Sequence, residues 1–270
     1  MASQLSPLLQ NYDQLILDLD GCVWVGEEAV EGSVDAIAEL REAGKRIAFA
    51  TNNSWRPGQE HVERLWGLGI KASLADVVTV GAAVQDLLAE TRTGKTAFVI
   101  GSLALVGHVE EAGLRLLNDT EEASRAEVVL VGGTDRVDYD ALRSASLAVH
   151  RGADLLATAR DPTLPTAEGP WPGTGALLAA VETTTGSRAE IVGKPEPRLM
   201  QTALDRLGEG RTLVVGDRLD SDVAAAHAAG LDAALVLSGD LSAGDPELDG
   251  DGPKPVEVAE NLAALVRGSD

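Results

Sequence analysis

A chain of 270 residues with 43 acidic and 22 basic side chains carries a formal net charge of −21, which argues against a general nucleic-acid binder, since that needs a basic face, and equally against docking on an anionic membrane surface. Its single cysteine excludes an intrachain disulfide or a multi-cysteine metal site, and no run is apolar for long enough to span a bilayer. Hydrophobic residues reach 44% while aromatics are only 3%, so one large or two modest domains must be built on Ala, Val and Leu. Residues 1–10 have neither a basic start nor a long apolar segment, which predicts a cytoplasmic, soluble chain without a secretory leader. An anionic substrate would need local positive charge from a metal, from Lys or Arg, or from backbone amides.

In chain order, the apolar run Leu15-Ile16-Leu17 reads as a strand covered on both faces, and it stops on Asp18-Leu19-Asp20-Gly21. Residues i and i+2 of a strand share a face, and the carboxyl end of such a strand is where open α/β sheets bind ligands. Two bare carboxylates that close repel unless a cation sits between them or one is protonated. The plainer alternative is a strand end followed by an acidic turn. A turn over 21–32 leads into a helix over 34–43, stopped by Gly44. The next strand, 46–50, ends on Thr51-Asn52-Asn53-Ser54. A helix after Pro57 to about 68 and a short strand over 77–80, ending at Gly81, complete a β-α-β-α-β pattern. Short connections of this kind mean a doubly wound parallel sheet.

A helix over 82–90 follows, then strands at 96–100, 128–131 and 155–158 with helices between them. The Pro-, Gly- and Thr-rich stretch 161–175 reads as an ordered loop, and 175–185 returns to helix. Residues 191–195 form a strand end or loop that carries Lys194, and 199–207 is helix. Leu213-Val214-Val215-Gly216-Asp217 is a second buried strand that runs into an acid. A helix of small residues over 222–229, stopped by Gly230, and a strand over 233–237 come next. An acidic surface loop over 240–255 and a closing helix over 256–266 finish the chain.

Three strands thus end on polar residues: Asp18 with Asp20, Thr51 with Asn52, and Asp217. In a parallel sheet all three ends lie on one edge. Taken singly, Thr51 and Asn52 fit a helix N-cap as well as a site. Asp217-Arg218-Leu219-Asp220-Ser221-Asp222 is either part of that edge or an acidic turn capping the following helix, and Lys194 is either part of a site or a surface lysine. Other candidates fail on pattern. Gly94-Lys95-Thr96 resembles the end of a phosphate-binding loop, but Ala89 occupies the first glycine position and a strand follows where a helix is needed. Gly173-Thr174-Gly175 lacks the third glycine of a dinucleotide fingerprint. His61, His108, His150 and His227 are scattered, and Cys22 reads as a small buried residue.

Together these residues resemble the four motifs of the haloacid dehalogenase superfamily. Asp18-Leu19-Asp20-Gly21 is similar to the first motif, Thr51 to the second, Lys194 to the third, and Gly216-Asp217 with Asp222 to the fourth. Trp24 and Gly26, the Thr51-Asn52-Asn53-Ser54 string and Gly216-Asp217-Arg218 narrow the resemblance to the branch of nitrophenyl-phosphate, phosphoglycolate, glycerol-3-phosphate and pyridoxal-phosphate phosphatases. The short separation of Asp18 from Thr51 leaves no room for an inserted domain. The stretch from Thr51 to Lys194 far exceeds the roughly 30 to 60 residues that one or two βα units need. The expected architecture is therefore a doubly wound, Rossmann-like α/β core over 1–82 and 186–270. A smaller α/β cap is expected over 83–185, and in the family such a cap covers the active site.

The resemblance implies a Mg²⁺-dependent phosphatase of small phosphomonoesters, of the glycerol 3-phosphate or 2-phosphoglycolate type. Asp18 would be the nucleophile, forming an aspartyl-phosphate, and Asp20 the acid and then base. Thr51, the amide of Asn52 and Lys194 would bind the phosphoryl oxygens. Asp18, the backbone carbonyl of Asp20 and Asp217 would hold the metal, with Asp222 holding the metal's water or standing behind its ligands. The loop Thr158-Ala159-Arg160-Asp161-Pro162 resembles the specificity segment, with Ala159 where the family usually has Asn, and offers Arg160 and Asp161 as substrate contacts. The solvated alternative stays open for Arg160. The expected partner is a small phosphorylated metabolite, without nucleic acid or membrane; a homodimer is compatible with this expectation. The alternatives are a metal-independent dehalogenase, which needs neither Asp20 nor Asp217, and a non-enzymatic phospho-ligand sensor on the same fold.

Overall fold

The strand Gln14–Asp18 is buried along its whole length, as a continuous apolar run in a parallel sheet requires. A computed structural model of the chain describes residues 5–166, 168–239 and 241–268. The chain divides into a first unit of Met1–Thr51, Gly58–Val78 and Lys194–Asp270, and a second of Asn52–Pro57 and Thr79–Gly193.

The first unit is an α/β fold around a six-stranded sheet. Its order is Glu257–Ala259, Asp232–Val236, Thr212–Gly216, Gln14–Asp18, Arg46–Thr51, Val77–Thr79. Gln14–Asp18 pairs in parallel with Thr212–Gly216 on one side and Arg46–Thr51 on the other. The chain winds away from this central strand in both directions, which makes its carboxyl end the topological switch point where doubly wound sheets bind ligands. The helix Ser33–Glu42 buries Ala36, Ile37 and Leu40 at helical spacing. These join Leu15, Leu17, Phe49, Leu213 and Val215 in an apolar core. Each fully buried aliphatic side chain contributes roughly 1.5–3 kcal/mol.

The second unit has its own five-stranded sheet, ordered Glu190–Ile191, Asp154–Ala157, Val128–Val131, Thr96–Ile100, Arg115–Leu116, with every pairing parallel. Phe98, Ile100, Val129 and Val131 form its core with Ala145 and Leu178 from the helices Tyr139–His150 and Thr174–Thr185.

Four local expectations are corrected. The stretch 256–266 is not one helix: Glu257–Ala259 is an edge strand paired with Ala234, Leu235 and Val236, and helix begins only at Leu262. Asn261 makes the break, since its side chain caps the new helix by accepting from the Ala264 amide at 2.9 Å. The stretch 161–175 contains an antiparallel ribbon, Thr163–Thr166 with Gly169–Pro172. A two-stranded ribbon has open edges, so its prolines forfeit no ladder bond that a central strand would need. Residue 167 of the stretch 161–175, residue 240 of the stretch 240–255 and residues 1–4 lie outside the described residues. The turn over 21–32 holds a short ribbon of Trp24–Val25 with Glu28–Ala29. The strand expected over 77–80 stops at Thr79, whose hydroxyl accepts from the Ala82 amide and starts the helix Val80–Thr91.

Candidate active site

Parallel register brings the acids together. Leu17 pairs with Val215, so the strands carrying Asp18 and Asp217 finish level with one another. Asp222 arrives from a wide π-helical turn, Leu219–Val223, ahead of the short helix Ala224–Ala228. Widened turns of this kind recur at functional sites. Here the turn aims Asp222 inward, and its carboxylate accepts from the Arg218 amide at 3.2 Å. Carboxylate oxygens of Asp18, Asp217 and Asp222 lie within 4.8 Å of one another, and all three residues are buried.

Lys194 is buried too, 5% exposed, and its ammonium donates to Asp18 and to Asp222, each at 2.6 Å. Burial alone would lower the Lys194 pKa, but the Asp18 and Asp222 carboxylates outweigh it and raise it. Burial pushes the Asp18 carboxyl well above the usual carboxylate range; Lys194 opposes that shift, and Asp222 and Asp217 add to it.

Glycines wall the cluster. A Cβ at Gly21 or Gly239 would overlap the Asp217 carboxylate, and one at Gly216 would overlap Asp222. Gly21 also has a left-handed backbone (φ +84°), and its carbonyl accepts from the Ser238 hydroxyl at 2.7 Å. Gly239 escaped the reading of the sequence. The available signal was its place just past a strand that ends on the same edge as Asp18.

Asp20 is exposed, and one of its carboxylate oxygens accepts from the indole N–H of Trp24 at 2.8 Å. Thr51 is buried at the end of Arg46–Thr51, where Asp18 pairs with Ala50. Asn52 begins the second unit, in which a Cβ at Gly193 would overlap its side-chain amide. Cys22 is fully buried, and burial together with the charges of Asp18, Asp217 and Asp222 pushes its thiol well up, so it is a packed thiol and not a nucleophile.

Arg160 and Asp161 belong to the second unit. The Arg160 guanidinium forms a two-pronged ion pair with Glu182, at 2.9 and 3.0 Å. Glu182 also accepts from Arg188 at 3.1 Å and from the Ala189 amide at 2.8 Å. The Arg160 hydrogen bond is the main reason that the Glu182 carboxyl falls to about 2, against the opposing effect of burial. The Asp161 carbonyl accepts from the Gly175 amide at 2.8 Å and thereby ties its loop to the start of Thr174–Thr185.

Comparison with known proteins gives the family. A family model described as haloacid dehalogenase-like hydrolase matches residues 15–115, and a second, HAD-hydrolase-like model matches 191–265. The D-glycerol 3-phosphate phosphatase of Mycobacterium tuberculosis is 36% identical over 263 residues, covering 97% of this chain and 73% of that protein. The chain belongs to the haloacid dehalogenase-like hydrolases. An acid sugar phosphatase of Staphylococcus epidermidis is 32% identical over 233 residues, 86% of this chain and 88% of its own. Among solved family structures, the M. tuberculosis glycerol phosphate phosphatase in complex with magnesium superposes with a TM-score of 0.90 at 36% identity. That match covers 98% of this chain and 79% of the other. The p-nitrophenyl phosphatase of Archaeoglobus fulgidus superposes at 0.87 with 31% identity, covering 94% and 97%.

The haloacid dehalogenase-like site is suited to a hard divalent cation. Three buried carboxylates supply only oxygen donors, which Mg²⁺ favours. The Asp217 carboxylate fills the room that the missing side chains of Gly21 and Gly239 leave.

Proposed function

We propose that this chain is a Mg²⁺-dependent phosphatase hydrolysing small phosphomonoesters, of the glycerol 3-phosphate or 2-phosphoglycolate type, through an aspartyl-phosphate on Asp18. The observation that carries this reading is the buried set of Asp18, Asp217, Asp222 and Lys194 at the switch point of the first unit's sheet. Asp18, the backbone carbonyl of Asp20 and Asp217 would hold the metal, and Asp222 would hold its water or stand behind its ligands. Bound Mg²⁺ would offset the repulsion between a phosphate monoester and the attacking carboxylate, about 4 kcal/mol per unit charge pair at 4 Å and an effective dielectric of 20.

Asp18 attacks phosphorus as the nucleophile. Asp20 gives its proton to the departing alcohol oxygen and afterwards takes one from the water that hydrolyses the aspartyl-phosphate. Thr51, the Asn52 amide and Lys194 hold the phosphoryl oxygens as charge develops on them. The second unit acts as the cap, with Asp161 and Arg160 reading the alcohol. A cytoplasmic setting and a free metabolite as partner, with neither nucleic acid nor membrane, complete the proposal. The acidic balance supports it, and among the described residues no helix is long and apolar enough to cross a membrane.

The test is phosphate release from a panel of phosphorylated metabolites and p-nitrophenyl phosphate. Chelation should stop turnover, Mg²⁺ should restore it, and Ca²⁺ should inhibit because it takes more and longer ligands. Full activity in excess chelator would refute the metal role. Asp161→Ala should reorder the panel by roughly 1 to 3 kcal/mol, the cost of leaving a site group unpaired. Lys194→Ala should instead lower every substrate by a similar factor. Identical profiles for the two variants would remove the cap assignment.

A further inference from the structure

Asp20 reaches solvent, yet it is tied to a fully buried aromatic group. Its Oδ1 accepts from Trp24 Nε1 at 2.8 Å, and Trp24 is fully buried. The loop between them closes on itself: the Trp24 amide donates to the Leu19 carbonyl at 3.1 Å, and the Gly21 amide donates to the Trp24 carbonyl at 2.7 Å. The helix Gly58–Gly67 clamps the ring. The His61 imidazole lies parallel to it, within 2° and 6.4 Å between centroids, and the Arg64 guanidinium sits 4.1 Å from its centroid. Arg64 in turn donates to the Gly26 carbonyl, fixing the short ribbon on which Trp24 lies. A rigid, buried ring therefore presents one N–H to a carboxylate that faces water.

An indole N–H donates and never accepts. Oδ1 of Asp20 is therefore the accepting oxygen, and because a carbonyl oxygen accepts better than a hydroxyl, the bond favours Oδ2 as the oxygen that carries a proton to be delivered. Resting on the acid–base role proposed for Asp20, we infer that Trp24 is a positioning residue that fixes which oxygen of Asp20 delivers the proton. As Asp18 bonds to phosphorus, the bond from phosphorus to the alcohol oxygen breaks and its electron pair stays on that oxygen. The oxygen takes the proton from Oδ2, and Asp20 is left as a carboxylate still held at Oδ1 by Trp24. A buried tryptophan also needs an acceptor for its N–H on packing grounds alone, so the test must separate packing from proton delivery.

The leaving group makes that separation. A nitrophenolate departs without a proton, whereas the alkoxide of glycerol does not, and kcat/KM reports only the steps up to alcohol release. Trp24→Phe keeps an aromatic ring and deletes the N–H. It should lower the ratio of kcat/KM for glycerol 3-phosphate to that for p-nitrophenyl phosphate by about 10- to 100-fold, part of the roughly 10²–10⁴ that a positioned acid–base group supplies. If Trp24→Phe does not fold, 3-benzothienylalanine at position 24 preserves the bicyclic shape without the donor and should lower the ratio likewise. A ratio within about threefold of wild type in the folded variant overturns the inference and leaves Trp24 as packing. Asp20→Asn separates the two levels. If it lowers the ratio and the position-24 variant does not, only the role of Trp24 falls. If Asp20→Asn leaves the ratio unchanged, the acid role falls and the inference with it.

Discussion

The two units contain two parallel sheets whose strands end quite differently. In the first, the central strands run out into Asp18, Thr51 and Gly216-Asp217. In the second, Thr96–Ile100, Val128–Val131 and Asp154–Ala157 run out into Gly101-Ser102, Gly132-Gly133 and Thr158. Those ends serve structure. The Ser54 hydroxyl accepts from the Gly133 amide at 3.0 Å, and the Ser102 hydroxyl donates to the Ser54 carbonyl at 2.6 Å. The charged triads differ in the same way. Lys194 lies between two carboxylates and all three are buried, whereas Glu182 collects two arginines that are 40% and 81% exposed. The lesson is that a parallel sheet supplies an edge and no chemistry; the chemistry comes from which residues stop its strands.

The sharpest way to break this contrast is Asp18→Asn. It removes a charge and no volume, so turnover should fall at least about a thousandfold, roughly 4 kcal/mol, while the thermal melt stays cooperative. Turnover within about tenfold of wild type would deny the first edge its chemistry. Gly239→Ala should come next. A Cβ there displaces the Asp217 carboxylate, and disturbing the support of a metal ligand typically costs 10- to 100-fold. The loss should appear as a higher Mg²⁺ concentration for half-maximal activity, and Gly252→Ala, where a Cβ meets nothing within 4 Å, is the matched control.

At the Glu182 cluster of the second unit the effect should fall on stability instead. Glu182→Gln weakens the pairing with Arg160 and should destabilise by about 1–2 kcal/mol near neutral pH. Because the folded pKa of Glu182 is depressed from 4.5 to about 2, its contribution is present above the unfolded value and is lost as the pH falls toward about 2. Urea melts of variant and wild type should therefore converge across that window; a pH-independent gap would mean that the carboxylate charge is irrelevant. The smallest expected change is a gain. Gly107 lies inside the helix Leu103–Glu111, and an added Cβ there meets no atom within 4 Å. Gly107→Ala should raise stability by roughly 0.5–1 kcal/mol with kcat unaltered.

Much of the fold was legible because the signal is local. Thr96–Ile100 and Val128–Val131 fall where short apolar runs put them. That Asp18 and Asp217 meet followed from two strands of one parallel sheet ending on a shared edge, whereas Asp222 and Lys194 were legible only through the resemblance, because neither ends a strand of that sheet. What stayed hidden depends on distant partners. Glu257–Ala259 is a strand only because Ala234–Val236 offers it an open edge, and its sequence alone suits a helix as well. The role of Gly239 exists only through Asp217, which lies far back in the chain. The Trp24 indole was legible as part of a resemblance but not as a donor to Asp20, because that bond depends on how the loop closes.

The walls around Asp217 and Asp222 are made of missing atoms, and this has a consequence for how the gene can change. Every single-base missense change in a glycine codon yields a residue with a β-carbon. At Gly21, Gly216 and Gly239 that carbon would occupy space already taken by a carboxylate. No conservative neighbour is available at these three codons, whereas those for Gly107 and Gly252 open onto empty space. Random mutagenesis scored for activity should deplete the first three positions of every missense allele and leave the other two populated, tracing the outline of the site from the genetic side.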